Sequence, residues 1–474
     1  MAPLYHQHAP DRYGQWLRQF ARFVLSRQFI PLCLAAAFII RVGWVFAVDA
    51  GPVSDFRWYY DRGVDFAVGR GYSVSPDAFW PENIPPPDLL PTAEYPAGGR
   101  PTAYWPVGYP AFLGLLFTVF GPSLLVAKIA NIFLYAGVLL LSYHLAKRLF
   151  NSELVGRSTL LILSFYPDHI AYSSLLASEI LFLFLLLLGV TLLLAARQRF
   201  WLGLPSGLVF GLACLVKPQA VFIPAIVFAV WFISQIRQGA LWKLVSLGVL
   251  VHIILGLTLS PWLVRNYIIF NDFVFISNNG GYNLLVGNNP YATGAYVFND
   301  EIVSMLSDAS TESDRDGKAR QLAVDYLRSH PFETMKLWPA KLWYLYGKDV
   351  KGIVWNQRGL AANSGGANDS LFWTLKVIAQ LYYMLIGAAF LFFLYFQVRT
   401  CKEKTGKPPL PTLGLWIVAY LTVISLLTFG NGRFHFPMMP WIVMYAGALA
   451  EGLAGTARPE AAAAGNLGRG IRWA

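Results

Sequence analysis

Ionisable side chains sit in or at the edges of strongly apolar stretches: the bases Arg41, Lys128, Lys217, Arg265 and Arg433, and the acids Asp168 and Glu179. An ionisable group inside a bilayer costs at least ~2.5 kcal/mol on insertion scales, so each is a functional candidate by default. Asp55, in Ser54-Asp55-Phe56-Arg57 just beyond the first apolar run, adds a carboxylate where hydrocarbon gives way to water. Carboxylates and cationic side chains gathered in one interfacial layer would suit acid/base work beside a bound anion, most simply a phosphate. Each residue also has an ordinary role open to it. Arg41 and Lys128 could snorkel, Asp55 and Asp168 could cap helices, and His169 could be a satisfied interfacial histidine.

Whether these residues share a layer depends on the elements that carry them. Of 474 residues, 56% are hydrophobic and 13% charged, against roughly 25% charged in a soluble domain. Apolar runs such as 180–196 and 386–396, with their flanks, approach the roughly 20 residues that cross the hydrocarbon of a bilayer. The fold expected is an all-α polytopic membrane protein with about ten transmembrane helices (ten to twelve), near 30–48, 123–145, 156–172, 177–196, 202–217, 219–235, 244–260, 371–397, 411–429 and 437–453.

Charge orients them. The segments 1–29, 146–157, 197–201, 235–243, 397–410 and 451–474 carry 18 Lys+Arg against 5 Asp+Glu. The long loops 49–110 and 261–370 carry 14 against 19. The positive-inside rule then puts both termini in the cytoplasm and the long loops outside. Asp55, Asp168, His169, Glu179, Lys217, Arg265 and Arg433 fall on the outer side together. The net charge of +11 is explained by the same rule and not by nucleic acid. Cys33, Cys214 and Cys401 lie in spans or beside one and form neither a disulfide framework nor a zinc-type spacing. The first 29 residues are long and polar for a cleaved signal, and the first span reads as an uncleaved anchor. Domain organisation is a cytoplasmic segment 1–29, one membrane domain over 30–453, and an Ala/Gly-rich disordered tail over 454–474.

The outer loops have their own pattern. Residues 76–110 hold ten prolines, too many for a helix interior, interleaved with Trp80, Tyr95, Tyr104, Trp105 and Tyr109. An extended aromatic cover is expected there. Phe56, Tyr59, Tyr60, Val64 and Ala67 have helical spacing, which predicts a short amphipathic helix over 56–69. Residues 332–346 predict another surface helix.

Several stretches, in order, resemble the GT-C glycosyltransferases of the bacterial protein-mannosyltransferase-like and aminoarabinose-transferase-like type. They are SDFRWYYDRGVDFAVGRGYS at 54–73, PTAYWPVGYPAFLGLLFTVFG at 101–121, KIANIFLYAG at 128–137, YPDHIAYSSLLASEILFLFLLLL at 166–188, GLVFGLACLVKPQAVFIP at 207–224, PWLVRNYIIFNDFVFISNNGGYNLLVGNNPYATGAY at 261–296 and GRFHFPMMPW at 432–441. The resemblance implies an enzyme that moves a sugar from a polyprenyl-phosphate carrier to an envelope acceptor (lipid, glycan or protein) at the outer face of the bacterial inner membrane, by inverting displacement. It implies that Asp55 is the general base or acceptor-orienting carboxylate, and that Glu179 is the second acid, with Asp168 its rival. It further implies that Lys217, Arg265 and Arg433 hold the lipid phosphate. His435, His169, Tyr59 and Tyr109 join them as candidates for substrate binding. Phe56 follows Asp55 where the protein mannosyltransferases pair Asp with Glu, so the single-acid bacterial members are the nearer pattern. No His/carboxylate cluster matches a metal site, which leaves a divalent ion without a ligand set.

Two other functions fit parts of the pattern. An envelope polysaccharide polymerase or ligase would also take lipid-linked sugars from the outer side. A transporter would place its charges near the midplane between internal repeats, and neither feature is present here.

Overall fold

The computed structural model describes residue 19 and residues 22–74, 99–235, 241–297, 299–309, 311–400 and 412–456. Trp80, Tyr95, most of the proline-rich stretch, Cys401 and the tail from 457 lie outside the described residues.

The chain is an α-helical membrane protein. Among the described residues, five helices are long and apolar enough to cross a bilayer: Phe29–Ala47, Leu124–Phe150, Glu179–Ala196, Leu241–Phe270 and Asp369–Gln397. Shorter apolar helices, including Gly108–Phe120, Gly203–Val216, Ile223–Gln235 and Leu413–Leu427, pack among them. The helix Glu179–Ala196 lies deepest, with residues such as Phe182, Leu183, Leu186 and Val190 fully buried. The core is thus built around the helix that begins with Glu179.

Prolines account for several departures from the ten expected spans. The stretch 156–172 divides into Glu153–Ser164 and Pro167–Tyr172. Pro167 holds Tyr166 in an extended conformation (φ −70°, ψ 110°), as the residue before proline must be. Pro218 does the same to Lys217 (φ −145°, ψ 114°) and opens a 3-10 turn, Pro218–Phe222. Pro261 does not end its helix, which runs unbroken from Leu241 to Phe270. The Leu257 carbonyl, which a residue lacking N–H at 261 cannot bond, accepts instead from Ser260 Oγ at 2.9 Å. Gly108–Phe120, with Pro110 in its first turn, is an apolar helix that the proline count concealed. Proline is tolerated there because a first-turn N–H has no helical partner to lose.

The two long connections fold onto one another. The first contains the helix Asp55–Ala67, expected from its spacing, and a short hairpin pairing Ser73–Val74 with Arg100–Pro101. The second contains a series of helices, among them Gly280–Gly287, Glu312–Ser329, Trp338–Tyr346 and Lys351–Ser364. The surface helix expected over 332–346 is present as two pieces, Pro331–Lys336 and Trp338–Tyr346. Glu312 fastens the connections together. Its carboxylate accepts from Thr102 Oγ1 and the Ala103 N–H at 2.8 Å each, and from Asn278 Nδ2 at 3.0 Å. A second tie joins the short loop after Leu427 to this assembly: the Gly430 N–H donates to the Gly294 carbonyl at 2.8 Å. A Cβ on Gly430 would stand 2.0 Å from the Lys341 carbonyl oxygen, so only glycine permits that approach.

Candidate active site

Four elements far apart in sequence each supply one charged side chain to a single cluster. Asp55 opens the helix Asp55–Ala67, and Glu179 opens the most buried helix. Lys217 sits in the proline-bent joint between two short apolar helices. Arg433 sits in the loop before the last helix, where its N–H donates to Asn431 Oδ1 at 3.1 Å.

Arg433 lies at the centre. Its Nη1 donates to both Asp55 oxygens, at 2.9 and 3.2 Å. Its Nε and Nη2 reach Glu179 Oε1 at 3.0 and 2.9 Å. Lys217 Nζ donates to the same Glu179 oxygen at 3.1 Å. The guanidinium also stands over the Phe56 ring, 5.0 Å from its centroid. Only guanidinium presents donors in a planar fork able to bridge two carboxylates in this way. The four charges cancel in pairs, which is how buried ions are tolerated. Among the described residues, buried Glu179 Oε2 has no hydrogen-bond partner.

The backbone before Asp55 is unusual. Ser54 has φ +54° and ψ −135° and makes no side-chain capping bond. A non-glycine residue with positive φ is held by its surroundings at a cost of order 1–3 kcal/mol. The Asp55 carboxylate that follows it is taken up by Arg433. Burial is the largest influence on its carboxyl and raises it above the usual range. Glu179 pushes in the same direction, while Arg433 and Lys217 pull the other way. Burial alone would lower the Arg433 guanidinium, but Asp55 and Glu179 outweigh it and hold the group firmly charged.

Tyrosines surround the cluster. Tyr59 and Tyr109 are buried edge to face with ring centroids 5.4 Å apart. Tyr296, from the second connection, is 37% exposed; partial burial and then Asp55 push its hydroxyl up to about 12. The hydroxyls of Tyr109 and Tyr172 are buried without hydrogen-bond partners.

The other expected site residues stand elsewhere. Arg265, expected just past a span, is inside the helix Leu241–Phe270 and not in the cluster. It donates to the carbonyls of Thr102 and Tyr72 at 2.8 and 3.0 Å and stacks over Trp262, so it pins the first connection. Asp168, His169 and His435 form a second buried group. Asp168 accepts from the Gly352 N–H at 2.8 Å. His169 Nδ1 bonds Tyr135 OH at 2.8 Å. His435 Nε2 is 3.0 Å from Asp349 Oδ1, and its other ring nitrogen meets the Leu345 carbonyl at 2.5 Å. Asp349 also accepts from Tyr166 OH. This group anchors the segment 345–353 against the loop of Arg433. Asp349 escaped the sequence reading because an acid in a charged loop carries no distinguishing signal. Arg41 is buried and donates to the Ser164 carbonyl at 3.0 Å, and buried Lys128 pairs with the exposed Asp49 at 3.4 Å.

Among the described residues no group of three or more His, Cys, Asp or Glu side chains is placed to hold a metal ion.

Comparison with solved structures decides the fold. The archaeal oligosaccharyltransferase AglB of Archaeoglobus fulgidus, in complex with an inhibitory peptide and a dolichol-phosphate, superposes with a TM-score of 0.51 at 13% identity, over 92% of this chain and 51% of that one. The chain has the GT-C fold. A second structure of the Archaeoglobus fulgidus enzyme, tethered to an acceptor peptide, matches with a TM-score of 0.50 at 14% identity, over 90% of this chain and 50% of that one. ArnT from Cupriavidus metallidurans, bound to undecaprenyl phosphate, gives 0.41 at 13% identity, over 90% and 79%. The GT-C chain described here spans about half the length of the archaeal proteins. Residues 105–264 match the family model of dolichyl-phosphate-mannose-protein mannosyltransferase. No curated protein sequence matches significantly.

Proposed function

We propose that the protein is a glycosyltransferase of the cell envelope that takes a sugar from a polyprenyl-phosphate carrier and transfers it to a lipid, glycan or protein acceptor. The observation that carries this reading is the meeting of Asp55, Glu179, Lys217 and Arg433 in one buried, charge-balanced cluster. It is supported by the GT-C fold and by the dolichol-phosphate named in the AglB complex. By the charge distribution of the loops, the cluster faces the outside of the inner membrane and both termini face the cytoplasm.

The chemistry follows from the layout. Transfer of the sugar expels the carrier phosphate, an already acidic leaving group, so no strong general acid is required at that oxygen. The acceptor needs a base within hydrogen-bond reach, and Asp55 is that base. Each of its oxygens has a lone pair beyond the one Arg433 occupies, and its raised carboxyl is the stronger proton acceptor for it. Glu179 Oε2 and the hydroxyls of Tyr109 and Tyr172 are the free polar atoms to which sugar hydroxyls can bond. One displacement, from the face opposite the phosphate, inverts the anomeric centre.

The test is release of polyprenyl phosphate from a labelled polyprenyl-phosphate sugar by purified protein with envelope acceptor. Sugar-chain growth on the lipid carrier would favour a polymerase or ligase. Solute uptake into proteoliposomes without sugar transfer would point to a transporter.

A further inference from the structure

Lys217 and Arg433 are both spent on carboxylates, so the four-residue cluster holds no surplus positive charge with which to bind a phosphate. Surplus charge does exist next to it. Lys348, Lys351 and Arg358 lie on the segment that runs past Gly432, and among the described residues none has a carboxylate within ion-pair distance. Lys351 Cγ comes within 3.3 Å of the point a Cβ on Gly432 would occupy, and the Lys348 carbonyl within 2.9 Å. The lysine stem is therefore packed beside the residue that precedes Arg433.

Arg358 stands over the Trp355 ring at 5.0 Å, and Trp355 meets the Phe56 ring edge to face at 5.3 Å. Phe56 in turn lies under Arg433. These contacts link Arg358 to the cluster through Phe56, while Lys351 adjoins it at Gly432. The charged groups that act most on Lys351 include Arg358, Arg433 and Lys348, opposed by Asp168. That acid is already engaged by the N–H groups of Gly352 and Ile353. Asp349, between the cations in sequence, turns inward to His435. Burial, and then the neighbouring cations, hold the Lys351 ammonium below its ordinary range. Cations gathered without counter-ions repel one another, and an anion placed among them relieves that repulsion.

We infer that Lys351 and Arg358 take the phosphate of the carrier lipid, with Lys348 adding charge at the surface, while Arg433 and Lys217 poise the two carboxylates. This rests on the glycosyltransferase reading and names residues that the sequence did not single out. Guanidinium and ammonium together suit a phosphate monoester, the first by its fork and the second as a point charge.

The experiment is titration of the detergent-purified full chain with a long-chain polyprenyl phosphate, the polyprenol of equal length and inorganic phosphate. Intrinsic tryptophan fluorescence is the readout, since Trp355 is at the site. Wild type should bind the phosphorylated lipid at least tenfold more tightly than the alcohol. K351M and R358A should each lower that affinity at least tenfold with unchanged melting temperature, and K351R should retain it. Affinity within twofold of wild type in both K351M and R358A overturns the inference and leaves the proposed function standing. A wild type that does not distinguish the phosphorylated lipid from the alcohol overturns the carrier reading itself. Inorganic phosphate binding as tightly as the lipid would assign the site to free phosphate and overturn the lipid assignment.

Discussion

Replacing Arg433 by lysine keeps the charge and removes the geometry. The guanidinium bridges Asp55 through Nη1 and Glu179 through Nε and Nη2. An ammonium at the end of a shorter stem is a point charge that can rest on one carboxylate at a time. Glu179 is the more buried of the two acids, so the lysine settles there and Asp55 loses its partner. A hydrogen bond to a charged group contributes about 1.5–3 kcal/mol. If that contact also orients the base in the transition state, its loss lowers kcat/KM by roughly ten- to a hundredfold, at 1.36 kcal/mol per decade. The assay is release of polyprenyl phosphate from the labelled donor, with lipid-phosphate binding and melting temperature measured alongside. Binding should be unchanged, because the phosphate is assigned to Lys351 and Arg358. Turnover within twofold of wild type at equal stability would refute the view that the fork positions Asp55. The double variant D55N/R433K supplies an internal check: its loss should fall well short of the product of the single losses, as for residues acting through one contact.

Other expectations concern the same parts. Asp55→Asn should lower turnover by about 10²–10⁴, the usual worth of a positioned general base, in a protein that still binds the carrier lipid. Because burial raises the Asp55 carboxyl, wild-type kcat should fall as pH drops through a midpoint above the ordinary aspartate value of about 3.9; a pH–rate profile with no acidic limb above that value would count against Asp55 as the base. Gly430→Ala forces a methyl against the Lys341 carbonyl, and overpacking of this kind costs about 1–3 kcal/mol, so thermal unfolding in detergent should begin several degrees lower. Glu312→Ala strands the donors of Thr102, Ala103 and Asn278, at about 1–3 kcal/mol for each buried group; limited proteolysis should then cut the first connection faster than in wild type.

Much of the site was legible because ions in apolar sequence are costly enough to stand out. Asp55, Glu179, Lys217 and Arg433 were each visible as such, and the charge asymmetry of the loops put them in one layer. What sequence could not supply was pairing. Arg265 has the same signature as Arg433, yet the helix Leu241–Phe270 runs on through Pro261 and delivers it to loop carbonyls instead. Periodicity marks where helix is favourable but not where a proline is absorbed by a neighbouring serine. His169, His435 and Asp168, expected as substrate-binding or catalytic groups, stand in a second buried group that adjoins the cluster through the segment 345–353. Lys351 and Arg358 were invisible for the opposite reason. Cations in a polar loop are common, and only the fold reveals that the carboxylates near them are already taken.

Glu179 and Arg433 are separated by 254 positions, and Asp55 and Arg433 by 378. A ribosome feeding this chain into a membrane therefore releases the helix headed by Glu179 long before its principal partner exists. Through that interval Lys217 is the only cation of the cluster available to it. Any fragment that ends short of residue 433 carries a half-matched carboxylate at the head of its most buried helix, along with an Asp55 that faces nothing. Breaking a buried ion pair by removing one partner is strongly destabilising. Such fragments are destabilised by the same arrangement that steadies the folded chain, so the loop carrying Arg433 is the piece that closes the charge balance of the cluster.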